Sequence, residues 1–411
     1  MEPKKWDFKN YLIMFLLLGV SGIPYFSSNQ PFIILFALGL IGLFMLSNHK
    51  KIDEEFIFLL VAILTCVFFQ AVTFSYFKGV TILGLMIRII TAYLAIKLLG
   101  EYYIGYFLRV MVFLTIISLI VFIPIFIKPD FLNTLIDLTP SFLSYQYELW
   151  GFQVDRKTMV LYNLLQEENR VRNNGPFWEP GAFGGYLVIA YIFNTIKEKK
   201  LLGKVNVLFI VAILSTQSTT AYLALFAFIV CYIFFEDYSY AAKSLIIVFG
   251  VAGYVAFQTI PFLGDKIKEE NKGAKDAIEE VGGDTRMASA ILDWDDIKGY
   301  PLSGRGLWPE TRVDKKFEYV IRNNGFTNFI ATWGILFFFF YFYWYYRGFS
   351  EFCRIYEGGR YIPIVVLLII WLLSFSENYF DSSFFWAFVF LSIPLKTIIY
   401  DEEIEDNNNL S

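Results

Sequence analysis

Apolar residues in this chain run in long blocks. Segments close to membrane-spanning length recur from residue 11 to residue 399. A soluble fold cannot hide so many of them, and lipid forces every backbone N–H and C=O to be satisfied within the segment, so the pattern predicts an all-α, polytopic integral membrane protein. Twelve transmembrane helices are predicted, at 11–26, 31–47, 56–75, 79–99, 106–127, 181–196, 204–217, 220–235, 241–260, 326–346, 361–376 and 383–399. The seventh and eighth could be read as one long helix. They are divided at Ser215-Thr216-Gln217-Ser218-Thr219-Thr220, a polar patch too costly to leave in lipid without partners.

The spans fall into five stretches: an N-terminal bundle of five spans (1–127), a polar segment (128–180), a central bundle of four (181–260), a second polar segment (261–325), and a C-terminal bundle of three with an acidic tail (326–411). Alternating the spans from a cytoplasmic N-terminus puts sixteen Lys and Arg residues inside and leaves Lys78 alone in the short outer loops. That asymmetry satisfies the positive-inside rule. Merging the seventh and eighth spans would separate Lys197–Lys200 from Arg347–Arg354, so the even count is preferred. Both termini are then cytoplasmic, and both long polar segments are extracytoplasmic loops. The first carries an amphipathic patch, Phe131, Leu132, Leu135 and Leu138, expected to lie along the outer surface of the bundle. The second contains residues 266–280, read as a solvated helix or lid. A short helix comes next, with Asp284 as its N-cap and an end near Gly299-Tyr300-Pro301. The N-terminus, basic and then apolar, imitates a signal peptide but lacks a small-residue cleavage site, and is read as an uncleaved first helix.

Composition sharpens this picture by exclusion. The chain is 57% hydrophobic and 20% aromatic, with 46 Phe and 27 Tyr among 411 residues. The aromatic run at 337–346 is read as lipid-facing bulk and interfacial belt. A net charge of −4 points to no partner by bulk electrostatics and gives no reason to expect nucleic acid. The one histidine, His49, sits in a short lysine-rich loop, which argues against a His-based metal site or base. The three cysteines, Cys66, Cys231 and Cys353, lie outside the long polar segments and imply no disulfide framework. No phosphate-binding G-x-x-x-x-G-K-[ST] loop occurs. Asp293, Asp295 and Asp296 follow one another round a helix and read as a polar face, so no metal and no cofactor is expected.

Candidate chemistry gathers at the edges of the predicted spans. Arg170 and Arg172 each present a planar fork of donors suited to phosphate oxygens. Asn173-Asn174-Gly175 signals a turn, and Pro176 and Pro180 stiffen the chain beyond it. Glu179 stands just before the sixth span, as a cap-like partner for Arg172 or as a base. Arg286 opens the short helix of the second segment, and Arg305 lies between Gly304 and Gly306, where free backbone amides could cradle an oxyanion. Arg322-Asn323-Asn324-Gly325 leads into the tenth span and repeats the content of the first cluster, as a shared turn or a shared role. Arg88, in the middle of the fourth span, is a functional candidate because intramembrane charge is expensive.

Taken together, Arg172-Asn173-Asn174-Gly175-Pro176-Phe177-Trp178-Glu179-Pro180-Gly181, then Arg286 with Trp294 and Pro301-Leu302-Ser303-Gly304-Arg305-Gly306, then Asn323-Asn324-Gly325 with Trp333-Gly334-Ile335 resemble the bacterial O-antigen polymerase and O-antigen ligase superfamily, over about residues 160–345. The resemblance implies a bundle of the C-type glycosyltransferase kind, working without a metal at the outer face of the inner membrane. Its substrate would be an undecaprenyl-diphosphate-linked oligosaccharide, and a chain-length regulator protein would be a partner. Arg172 and Arg286 would then hold the diphosphate and Glu179 would take the acceptor proton or orient the sugar. Arg170, Asn174, Arg305, Arg322, Asn323 and Asn324 would line the substrate. Ligases of the family carry a histidine where this chain has Asn323 or Asn324, which favours a polymerase of O-antigen or capsule repeat units. The alternatives are a ligase that moves glycan onto lipid A core and a non-enzymatic flippase. A flippase would keep its charges deep in a central cavity.

Overall fold

The computed structural model describes residues 7–47, 51–149, 152–166, 171–241, 285–312 and 322–396, with 243, 244, 272 and 275. Arg170, Asp284, the 266–280 lid (residues 272 and 275 apart), nearly all of the predicted ninth span and the acidic tail lie outside the described residues. The protein is 76% helix and 2% strand, and its apolar helices are those of a membrane protein. The helices are α1 (Phe8–Gly22), α2 (Pro24–Ser27), α3 (Gln30–Leu46), α4 (Glu54–Phe74), α5 (Gly79–Leu99), α6 (Tyr103–Ile127), α7 (Phe131–Leu138), α8 (Pro180–Glu198), α9 (Lys204–Thr216), α10 (Thr219–Phe235), α11 (Arg286–Gly299), α12 (Gly325–Ile355), α13 (Ile362–Ser374) and α14 (Ser383–Phe390). The expected twelve membrane crossings are met only in part. Among the described residues three helical stretches are long and apolar enough to cross a membrane: Glu54–Phe74, Gly79–Ile127 and Gly325–Ile355. The second joins α5 to α6 through one 3-10 turn at Gly100–Tyr102.

Local chemistry accounts for where the helices stop. The polar patch at 215–220 does divide α9 from α10: Gln217 takes a left-handed φ of 50°, and the Ser218 hydroxyl accepts from the Ala221 N–H at 3.4 Å to start the next helix. In the first polar segment α7 forms as the amphipathic patch predicts. Leu132, Leu135 and Ile136 pack on Phe122, Ile125, Tyr162 and Leu164, while Phe131 and Leu138 stay exposed. The mostly helical expectation holds, with one exception just beyond α7, where β1 (Ser144–Leu149) and β2 (Phe152–Lys157) pair antiparallel, with Ser144 opposite Lys157.

The core is aromatic and continuous. α8 lies at its centre, buried on nearly every face from Pro180 to Ile196. α14 is buried along its whole length. The 337–346 run is not chiefly a lipid-facing belt: Phe337, Phe338, Tyr341, Phe342, Trp344 and Tyr345 are all buried, and only part of the run, such as Phe339 and Tyr343, faces outward. Tyr345 donates to the Phe385 carbonyl at 2.6 Å, which ties α12 to α14.

α12 is broken in its middle. Gly334 has φ 77°, a conformation that side-chain-bearing residues rarely adopt, and a Cβ there would sit 2.2 Å from the Leu302 carbonyl oxygen. The loop 301–306 inserts at the break. Ile335 donates its N–H to the Pro301 carbonyl (2.8 Å), Arg305 donates to Ala331 (2.8 Å) and Gly306 to Thr332 (3.0 Å). From α4, the buried Gln70 amide donates to the Ser303 and Thr332 carbonyls at 2.6 and 2.9 Å. Interrupted backbone inside a membrane bundle survives only when its freed groups are satisfied in this way.

Candidate functional site

Three sequence-distant pieces meet at the first turn of α8. Glu179 is the N-cap residue of that helix but makes no side-chain cap hydrogen bond, which leaves its carboxylate available to others. Arg286 is presented by the first turn of α11, whose cap is Thr285, with its hydroxyl accepting from Ala288 N–H at 3.2 Å. The third piece is the short loop between α13 and α14, which carries Glu377. Arg286 Nε donates to the Ser376 carbonyl at 2.9 Å, and Nη2 stands 3.6 Å from both Glu179 Oε1 and Glu377 Oε1. Gly181 makes this approach possible, because a Cβ there would lie 2.5 Å from Glu377 Oε1. The Trp178 indole donates to Glu377 Oε2 at 3.1 Å. Burial, then the neighbouring Glu179 charge, pushes the Glu377 carboxyl well above the ordinary glutamate range, with Arg286 pulling the other way. One cation thus faces one half-buried carboxylate, Glu179, and one buried carboxyl group biased toward its protonated form, Glu377.

Glu377 is absent from the sequence-derived set. Its signal is a short charged gap, Glu377 to Ser382 with Asp381 inside it, squeezed between two apolar runs. Such a polar loop has to face the bundle or its surface, and this one turns inward.

Arg172 goes elsewhere. Its Nε donates to the Thr216 carbonyl at 3.0 Å and its Nη2 to Gln217 at 3.2 Å, so it caps the C-terminal end of α9. The α9–α10 junction that it grips packs on Gly184, where a Cβ would sit 2.7 Å from the Ala221 Cβ. Gly184 is one helical turn from Gly181. Asn173 and Asn174 are buried: Asn173 donates to Ser215 Oγ (2.8 Å), and Asn174 donates to the Leu165 carbonyl. Gly175 has φ 51°, while Gly325 opens a regular helix, so the two Asn-Asn-Gly motifs do not share a turn. At the second motif the Asn324 side chain caps α12 by accepting from Thr327 N–H at 3.1 Å, and the Asn323 N–H donates to Ser289 Oγ at 2.9 Å.

The polar-face expectation for α11 fails for two of its three aspartates. Asp295 is exposed beside Lys298, but Asp293 and Asp296 are fully buried. Arg312 Nη2 lies 2.7 Å from Asp293 and its Nε 2.6 Å from Asp296. Arg322 Nη1 reaches Asp293 at 3.0 Å, and Arg305 Nε stands 3.4 Å from Asp296 with its guanidinium 4.8 Å over the Tyr300 ring. Arg305 and Arg322, expected to line substrate, are engaged in this buried network. The backbone amides of Arg305 and Gly306, expected to cradle an oxyanion, are hydrogen-bonded to the broken stretch of α12. Arg312, unremarked in the sequence, is the hub: it also donates to Asn328 Oδ1 (3.1 Å) and Thr332 Oγ1 (2.9 Å).

Compared with known protein families, curated proteins and solved structures, the chain matches none. Function must therefore be read from geometry, and Arg286 is the central group. Its side chain is 28% exposed and held by its Nε to a backbone carbonyl, with two carboxyl groups at separations too long for strong hydrogen bonds. Such a cation can exchange a carboxylate for an incoming anion.

Proposed function

We propose that this chain is a glycosyltransferase that joins undecaprenyl-diphosphate-linked repeat units into a polysaccharide, O-antigen or capsule, at the outer face of a bacterial inner membrane, without a metal. The observation that carries the reading is the meeting of Arg286 with Glu179 at the start of α8, from two polar segments separated in sequence by most of the central bundle. Both belong to the motifs that resemble the polymerase and ligase superfamily.

In this reading the acceptor hydroxyl attacks the anomeric carbon of the growing glycan, the bond from that carbon to the diphosphate oxygen breaks, and lipid diphosphate leaves. Negative charge grows on the leaving oxygen. Arg286 supplies a donor there, reinforced by the positive end of α8. Glu179 holds Arg286 in place until the diphosphate replaces it. Arg172 acts as a positioning residue that fixes the α9–α10 junction against α8. Loss of one such donor costs roughly 3–4 kcal/mol, a few hundredfold in rate.

The test is purified full-length protein incubated with lipid-linked repeat units extracted from host cells lacking this chain, without added metal, and read as a ladder on a gel. Arg286→Ala should slow ladder growth by roughly a few hundredfold. Wild-type ladder length and yield from both Arg286→Ala and Glu179→Ala would sink the proposal. In host cells, loss of the chain should leave a single repeat unit on the surface. Long glycans accumulating on the carrier lipid would identify a ligase instead.

A further inference from the structure

A cleft of about 670 Å³, open on one side, lies between the start of α4 and the later part of α12. Pockets that hold small molecules run to roughly 300–1,000 Å³, so this one has room for a polar head and part of an apolar body. Its place in the bundle follows from how the two helices run. Late in α4, Gln70 bonds the Thr332 carbonyl early in α12, so the helices are antiparallel and the cleft lies about 24 Å back along α4, at Glu54. Gly325, at the near end of α12, packs on the Glu377 backbone beside Arg286. The cleft is therefore at the opposite end of the bundle from Arg286. Glu54–Phe74 and Gly325–Ile355 are both long and apolar enough to cross a membrane, and Glu54 is where the first of them begins. The charged rim of the cleft thus stands at the edge of the apolar layer.

Some of the charges around the cleft are already matched. Asp53 pairs with Lys97 at 2.9 Å and accepts from the Tyr93 hydroxyl at 2.6 Å, and Glu55 pairs with Lys396 at 3.0 Å. Others are not. Arg88 donates to the Asp381 carbonyl at 3.3 Å, but Arg347 makes no hydrogen bond or ion pair among the described residues. Its guanidinium lies 4.8 Å over the Trp344 ring and 5.9 Å from the Tyr343 ring, a stack that holds the planar fork at the cleft wall. Lys51 and Glu54 line the same cleft, are exposed, and have no side-chain partner among the described residues. Trp344 is only 8% exposed, and its buried indole N–H has no acceptor among the described residues. A buried donor left unpaired costs about 1–3 kcal/mol, a cost that a bound acceptor removes. The apolar side of the cleft is Phe58 and Tyr343, both more than half exposed, with Phe58 packed on Phe340 at 5.8 Å.

We infer that this cleft holds one glycerophospholipid of the surrounding membrane, with a headgroup that pairs a phosphodiester with a primary ammonium. The phosphate lies against Arg347, with Lys51 and the Trp344 N–H as further donors. The ammonium lies against Glu54, where Asp53 and Glu55 stand close by. The acyl chains run past Phe58 and Tyr343 into the lipid. The separation of charge selects this headgroup. A purely anionic one would bring no cation to the three carboxylates at the start of α4, and a quaternary ammonium could not donate hydrogen bonds to them. The inference stands apart from the glycosyl-transfer reading and survives its failure.

The test is native mass spectrometry of delipidated full-length protein in detergent, titrated with phosphatidylethanolamine, phosphatidylglycerol and phosphatidylcholine of matched acyl chains. Phosphatidylethanolamine should bind first, as one saturable copy. Arg347→Gln should weaken that copy about tenfold or more. Glu54→Gln should erase the preference for phosphatidylethanolamine over phosphatidylglycerol. Equal binding of the three lipids by wild type, or phosphatidylglycerol bound ahead of the others, overturns the assignment. So does wild-type affinity in Arg347→Gln. If that variant fails to fold, the exposed Glu54→Gln decides alone, and an undiminished preference overturns the inference. Water-soluble phosphoethanolamine is the remaining arm: binding as tight as that of the lipid would assign the cleft to a soluble phosphate ester and remove the membrane as its source.

Discussion

Asp293 and Asp296 stand one helical turn apart on α11 and share three guanidinium groups in a site closed to water. Removing one partner from such a cluster strands charge in low dielectric, so Arg312→Ala should destabilise the protein by about 3–5 kcal/mol. Asp295→Ala, which breaks only an exposed pair with Lys298, should stay within about 0.5 kcal/mol of wild type. Thermal unfolding of the detergent-solubilised variants compares the two, and equal losses would contradict the burial argument. Glu377 makes a pH prediction. Its folded-state carboxyl sits well above the unfolded value, so the folded protein holds an extra proton. The stability this proton brings is complete below the unfolded glutamate value, and is lost as pH rises toward the folded one. Glu377→Gln mimics the protonated form and should flatten the decline of melting temperature as pH rises above the ordinary glutamate range; a decline as steep as wild type would exclude a protonated Glu377. Neither cluster is legible in the sequence in this form. Three aspartates round a helix look the same whether they face water or arginines, and the arginines that decide the matter come from Arg305 to Arg322, beyond any local window.

Where α12 breaks, a single residue sets the geometry of an element. Gly334→Ala forces a strained φ and drives Cβ into the Leu302 carbonyl, so folded yield and melting temperature should both fall sharply. Gly39→Ala, in the body of α3 with open space around its Cβ, is the matched control and should be neutral or mildly stabilising. Similar melting temperatures for the two variants would mean that the 301–306 insertion does not depend on the break. The two interruptions in the bundle differ in how they can be read. The α9–α10 break announces itself through a run of polar residues that lipid would not tolerate. The α12 break is one glycine between Trp333 and Ile335, and an isolated glycine in an apolar run does not by itself end a helix. The aromatic run after that glycine departs from its expected lipid-facing role for a related reason. Phe and Tyr suit lipid and protein neighbours alike, so composition cannot tell which of them a given ring will meet.

Across the whole molecule, the polar features divide between the two ends of α8. Glu179 and Arg286 meet at its start, and Lys199 pairs with Glu357 just past its end. Its 19 residues separate the two by about 28 Å, close to the thickness of a bilayer core. In a cysteine-free background, Lys298→Cys should react with an impermeant maleimide from outside, and Lys199→Cys only after the membrane is opened. Labelling of both from one side would overturn the orientation proposed from the charge distribution. The described helices are legible at the level of position, since apolar runs and caps are local, whereas the partners of each helix are not, and three helical stretches among the described residues are long and apolar enough to cross a membrane. α8 carries a consequence of that for biogenesis. It is not among the stretches apolar enough to cross a membrane alone, yet protein covers nearly all of it, including α10, α12 and α14 from later in the chain. A ribosome that has just finished α8 has not yet made those three. During synthesis, then, this segment completes its packing only after α10, α12 and α14 emerge, so the central helix of the finished protein waits on the end of the chain for its permanent surroundings.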